Sequence, residues 1–196
     1  KYLDGVVRKA SDKNLMDTFN TNLIFSLFYS TGMTIDTEEF VSVTSRSPRY
    51  YVSAAYWDRD SLLWSLPAIA IADGKKARNL ITYAFTTQMK NVGIHSRYID
   101  GTVLEPGFEL DELCAPVIAL DKYISLTGDS SILNKSFIME GLERISGMIK
   151  EKKGEYGLYE TFLQPTDDFA QKKYLTYDNI ILERALSILG KYLDKE

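Results

Sequence analysis

Three clusters of carboxylates, arginine and aromatic residues hold most of the chemistry this chain of 196 residues can do. The first is Tyr56-Trp57-Asp58-Arg59-Asp60-Ser61, placed where a helix begins. A helix start needs one short polar cap, which accounts for Asp60 or Ser61 but not for Trp57, Asp58 and Arg59. The second runs from Arg97-Tyr98-Ile99-Asp100-Gly101 to Phe108-Glu109-Leu110-Asp111-Glu112-Leu113. The helix dipole suits one or two of its three clustered carboxylates, while Asp111 can equally face a pocket. The third, Tyr159-Glu160-Thr161-Phe162-Leu163-Gln164-Pro165-Thr166-Asp167-Asp168, is a proline-containing aromatic loop too far from the next helix to cap it. Adjacent carboxylates disfavour each other's ionisation, which moves one of them toward a general acid's range.

The remaining residues narrow the choice. His95 is the one histidine and stands alone in a loop, which argues against a Ser-His-Asp triad. Cys114 is the one cysteine, so an internal disulfide is excluded and a Cys/His metal site is not expected. It reads as a buried small hydrophobe. Gly101 and Gly107 lack the Lys-Ser/Thr of a phosphate loop. A net charge of −4 argues against a nucleic-acid partner. The longest apolar run, around Ile69–Ala72, is interrupted by Pro67 and Asp73, so no membrane span is expected. What is left suits glycoside hydrolysis, which needs two carboxyl groups and aromatic faces for sugar, with no metal and no cofactor.

Helical periodicity supplies the elements that must position these clusters. Ser11 is the expected cap of a helix carrying Leu15, Phe19, Leu23, Leu27 and Phe28, and Phe40–Thr44 is a short strand. Further helices are expected over Asp60–Ala72, Ala77–Met89, Leu110–Leu126, Ile132–Ile149 (capped by Ser130) and Leu175–Leu193. Gly93–Phe108 and Gly154–Gln171 read as long loops. The pattern is all-α: paired helices joined alternately by short turns and by long loops of the kind that carry function.

The motifs resemble those of the six-hairpin glycosidases. Trp57-Asp58-Arg59-Asp60-Ser61 is similar to their Trp-x-Arg-Asp-Ser stretch. Phe108-Glu109-Leu110-Asp111-Glu112-Leu113-Cys114-Ala115-Pro116, with Tyr123 and Thr127-Gly128-Asp129, resembles a run of glycoside hydrolase family 125. So does Gln164-Pro165-Thr166-Asp167-Asp168, followed by Tyr174-Leu175 and Asn179. The resemblance implies an (α/α)6 barrel and metal-free, inverting removal of α-1,6-linked mannose from a glycan. It implies that Asp167 is the general acid, with Asp168 in reserve, and that Trp57, Arg59, Asp60, Glu109 and Asp111 bind sugar. Gln164 stands where that family has Arg, and Glu112 where it has Ser. Asn20 and Tyr50-Tyr51 also resemble glycogen-debranching and glucoamylase-like proteins, which would make the substrate an α-glucoside.

About six helices, where the barrel has twelve, imply that residues 1–196 are the N-terminal half of one catalytic domain. Such a half holds the acid and one subsite but lacks the base, which an inverting enzyme needs about 6.5–9.5 Å away. Its exposed helix faces imply a homodimer, and the expected location is cytoplasmic. The rival of another class is a non-catalytic helical scaffold, against which the absence of a fixed sequence repeat counts.

Overall fold

The computed structural model describes residues 1–47, 49 and 54–193; Tyr50 and Tyr51 lie outside them. The described chain is all-α apart from two small hairpins. In order it contains α1 (Tyr2–Val6), α2 (Lys13–Tyr29), β1 (Thr31–Met33), β2 (Phe40–Ser42), α3 (Leu66–Ala72), α4 (Gly74–Phe85), β3 (Ile94–Arg97), β4 (Val103–Phe108), α5 (Leu110–Thr127), α6 (Ser136–Glu151) and α7 (Thr176–Leu193).

α5 is the central rod. Its residues from Leu110 to Val117 are all buried, charged ones included, and it packs against α3, α4, α6 and α7. A helix that hides every face must lie inside the molecule. The helices around it bury one stripe each, such as Ile138, Leu142, Ile145 and Ile149 of α6. Each such side chain stabilises the fold by about 1.5–3 kcal/mol.

Local chemistry shifts several boundaries. Asp12, not Ser11, caps α2, its carboxylate accepting from the Leu15 amide at 3.0 Å. Of the apolar positions expected on that helix, Leu23 and Leu27 are buried, whereas Leu15, Phe19 and Phe28 are exposed. Asp73 caps α4 by accepting from the amides of Lys75 and Lys76, three residues before the expected start. Asp129 caps a 3-10 turn at Ser130–Asn134, so α6 begins only at Ser136. The expected helix at Asp60–Ala72 starts with a π-helical stretch, Arg59–Ser65, that runs straight into α3. Pro67 lies just beyond it, with no amide hydrogen to give and a ring that crowds the carbonyl four residues back. The wider turn accommodates that crowding. Asn20 is structural: its side chain accepts from the Arg8 amide and donates to the Arg8 carbonyl, both at 2.8 Å, pinning the N-terminal segment to α2.

The supposed loop Gly93–Phe108 is a β-hairpin, in the antiparallel register Ile94↔Phe108, Ser96↔Glu105 and Arg97↔Val103. At its turn Gly101 has φ 77°, and a Cβ there would lie 2.2 Å from the Thr87 carbonyl oxygen. The hairpin is held on both sides. Tyr56 and Arg97 exchange backbone hydrogen bonds of 2.8 and 3.0 Å, and the amides of Phe162 and Leu163 donate to the Phe108 carbonyl at 3.1 and 3.0 Å. The start of the π-helical stretch, the β3–β4 hairpin and the 154–175 loop therefore meet at the N-terminal end of α5.

Candidate functional site

Glu109 occupies the N-cap position of α5 yet makes no cap bond. Thr161 does that work from the neighbouring loop, its hydroxyl oxygen accepting from the Leu110 amide at 3.2 Å. Asp111 accepts from the Glu112 amide at 2.9 Å. With the helix end satisfied in this way, the Glu109 carboxylate is free to turn toward Arg59.

Arg59 is the hub. One terminal nitrogen of its buried guanidinium donates to Glu109 at 2.7 Å and to Asp111 at 3.0 Å, and lies 3.6 Å from Glu112. The other donates to Asp167 at 2.8 Å. Three separate stretches of sequence thus converge on one cation. The guanidinium's own pKa is raised: burial lowers it, but the negative charges of Glu112, Asp111 and Glu109 more than offset this. Asp60, half-buried beside it, is pushed up to about 6, first by burial and then by the charges of Asp167 and Glu109, against the pull of Arg59. Asp111 is raised as well, because burial outweighs its bond to Arg59. For Asp60 and Asp111 the pull of Arg59 is outweighed by burial.

The structure brings Arg59, Glu109, Asp111 and Asp167 into direct contact and sets Asp60 in their field. Trp57 reaches them through His95, whose ring it meets edge-on at 5.5 Å. Asp168 points elsewhere. It is exposed and accepts from the Thr166 hydroxyl at 3.0 Å, so the two adjacent aspartates do not share a site. Asp167 has a half-exposed side chain and φ 68°, a left-handed backbone that costs a non-glycine residue about 1–3 kcal/mol. Phe162 and Phe169, in edge-to-face contact at 5.0 Å on the same loop, border an open groove of 260 Å³ and are both exposed.

Sequence reasoning missed three participants. His95 does not stand alone in a loop: it lies on β3, buried, its Nδ1 2.8 Å from Glu109. Its partner is 14 residues away and visible only once the hairpin folds. Glu112 accepts from the amides of both Asp58 and Arg59, capping the π-helical stretch from a neighbouring helix. Asp178, on the first turn of α7, is 1% exposed, and neither carboxylate oxygen has a hydrogen-bond partner among the described residues. Burial, then the charges of Asp111 and Glu109, push its pKa up to about 7. An acidic residue at a helix start looks like an ordinary dipole partner in sequence, which hid it. Cys114 is buried as expected, and burial pushes its thiol up.

One atom each of His95, Glu109 and Asp167 lie within 4.8 Å of one another, a donor set open to a metal ion. Arg59 already supplies the positive charge to both carboxylates, and His95 is bonded to Glu109. Among the described residues no helix is long and apolar enough to cross a membrane.

No model of a known protein family matches the chain, and no curated protein sequence does. Among solved structures, the chain is similar to a metal-independent alpha mannosidase of Streptococcus pneumoniae, captured in a non-productive complex with alpha-1,6-mannobiose. The TM-score is 0.74 at 19% identity, over 97% of this chain and 55% of that one. At that identity the likeness speaks to the fold: helical hairpins of an all-α toroid, of which this chain spans about half the length of its neighbour.

Proposed function

We propose that the chain is the N-terminal half of the catalytic domain of an inverting glycoside hydrolase. In this reading it removes α-1,6-linked mannose from a glycan, with Asp167 as general acid and one sugar subsite. The observation that carries it is Arg59, which meets Asp167, Asp111 and Glu109 across 108, 52 and 50 residues of sequence in a mannosidase-like fold. Arg59, Asp60, Glu109 and Asp111 bind the hydroxyls of the terminal sugar, and Trp57 closes one side. Asp167 stands half-exposed at the rim, within reach of a departing oxygen. Phe162 and Phe169 offer faces to the rest of the glycan. The neighbour's complex with alpha-1,6-mannobiose supports that substrate class. The α-glucoside alternative finds less support, since Asn20 is occupied in holding Arg8.

The test is kinetic. In the complete enzyme, Asp167→Asn loses about 10²–10⁴-fold on a mannobioside, the worth of general-acid help. It loses far less on an aryl mannoside whose phenolate departs unaided. Equal losses on both substrates would remove Asp167 from the role. Residues 1–196 alone bind mannobiose weakly and turn nothing over, because the base belongs to the other half. Exposed apolar residues, Leu15 and Phe25 on α2 and Ile180 on α7, support self-association of this half, which sedimentation checks. We also infer a cytoplasmic location, tested by cell fractionation.

A further inference from the structure

His95 is met by carboxylates from three elements. Glu109, at the start of α5, lies 2.8 Å from Nδ1; Glu105, on β4, lies 3.4 Å from Nε2; and Asp167, on the 154–175 loop, lies 3.9 Å from Nδ1. These are the titratable groups that face the ring, with Arg59 beyond Glu109 and Asp167, and uncharged Trp57 against its edge. The loop is seated on the same hairpin. Gly107 has φ 140°, and a Cβ there would lie 2.5 Å from Leu163 Cδ1 and 3.8 Å from His95 Cβ. The Phe162 and Leu163 amides donate to the Phe108 carbonyl. The loop's approach therefore depends on a backbone without a side chain at one point and on charge at another.

We infer that His95 is a positioning residue for Asp167: as an imidazolium it clasps hairpin, helix start and loop together and holds the loop carboxylate against Arg59. A neutral ring can still donate to Glu109 from Nδ1, but it offers Asp167 and Glu105 no charge. The charge state follows from the surroundings. Burial lowers the imidazole pKa, but the hydrogen bond and charge of Glu109, then Asp167 and Glu105, leave it raised. A raised pKa in the docked state means that docking is strongest below the free imidazole's value of about 6.5 and is lost as pH rises through the docked value. The closed loop is then favoured on the acid side of the docked midpoint.

The inference takes from the proposed function only that Asp167 belongs to the site, and its readouts involve no substrate. The chain has one histidine, so its imidazole resonances are unambiguous. NMR titration of the 196-residue protein is expected to give a midpoint above 6.5, moving down in Glu105→Gln and further in Glu109→Gln. Hydrogen exchange at the amides of Phe162 and Leu163, which donate to the Phe108 carbonyl, corrected for intrinsic rates, reports docking. Protection is expected to fall about tenfold for each pH unit between the free and docked midpoints. The same step is expected to vanish in His95→Gln, whose side-chain amide can donate to Glu109 without charge. If that variant does not fold, the Glu105→Gln step must move with the His95 midpoint. A His95 midpoint at or below 6.5, or an unchanged exchange step in His95→Gln, overturns the inference. Either result leaves the glycosidase reading standing, and failure of the Asp167→Asn kinetics leaves the clasp standing.

Discussion

Arg59 and Arg97 are two buried guanidiniums on either side of one carboxylate, Glu112, at 3.6 and 4.0 Å, and they are built for different ends. Arg97 is closed in. It pairs with buried Asp58, donates to the Gln88 carbonyl at 2.9 Å and lies over the Tyr56 ring, while the Tyr56 hydroxyl donates to Asp58 at 2.8 Å. Every partner is as buried as the arginine, and the strand and turn that carry them are already hydrogen-bonded to each other. Arg59 has the same burial but one partner, Asp167, that is half in solvent and sits on a loop with left-handed backbone. A buried ion pair whose members all lie inside fixes the shape of the hairpin. One with a member at the surface can exchange that member for a ligand.

The largest effect that tests this contrast is Arg97→Ala. It strands Asp58 as an uncompensated buried charge and is expected to cost about 3–5 kcal/mol in urea denaturation. A loss below about 1 kcal/mol would show that the Arg97 network is not a scaffold. Next comes Asp178→Asn, on the Arg59 side. Folded Asp178 titrates at about 7, above an unfolded value near 3.9. Its neutral form favours folding below about pH 4, and that advantage is lost as pH rises through 7. Asp178→Asn is therefore expected to stabilise the protein at pH 8, by about 1–3 kcal/mol, with little change at pH 4. Destabilisation at pH 8 would mean that Asp178 has found a partner when folded. The smallest expected effect is that of Asp168→Asn, within about 0.5 kcal/mol, since among the described residues its carboxylate meets only the exposed Thr166 hydroxyl. A substantial loss of stability there would place Asp168, not Asp167, inside the charge network.

The long helices were legible because periodicity is a local signal. α5 and α7 start and stop within one residue of the apolar pattern. Caps were less so, because Ser11 and Asp12 are equally good by type and only the backbone decides between them. The β3–β4 hairpin was invisible. Gly101, Pro106 and Gly107 read as breakers, whereas the ladder shifts register around Ser96 and tolerates them. The site was legible where its members are neighbours in sequence, as in Arg59-Asp60 and Glu109-Leu110-Asp111. It was illegible where one residue meets partners across folds of the chain. His95 needed the hairpin, and Asp178 needed α7 laid along α5. The two adjacent aspartates misled in the opposite sense, since a left-handed residue sends Asp167 inward and Asp168 out.

The π-helical stretch from Arg59 to Ser65 also bears on what the gene can tolerate. A π turn holds about one residue more than the α turn that would replace it. Removing a single residue from 61–65 would let the stretch close into an ordinary α-helix continuous with α3. The helix would survive and so would its apolar face, and because a π turn spends about one extra residue on nearly the same rotation, what precedes the deletion would keep nearly its direction around the axis. Arg59 would stay on the side of its carboxylates and Trp57 on the side of His95, in a protein that still folds. For this segment, a length difference of one residue between two related genes is absorbed by the turn, whereas the same difference within α3 would swing Arg59 by about 100° away from its carboxylates.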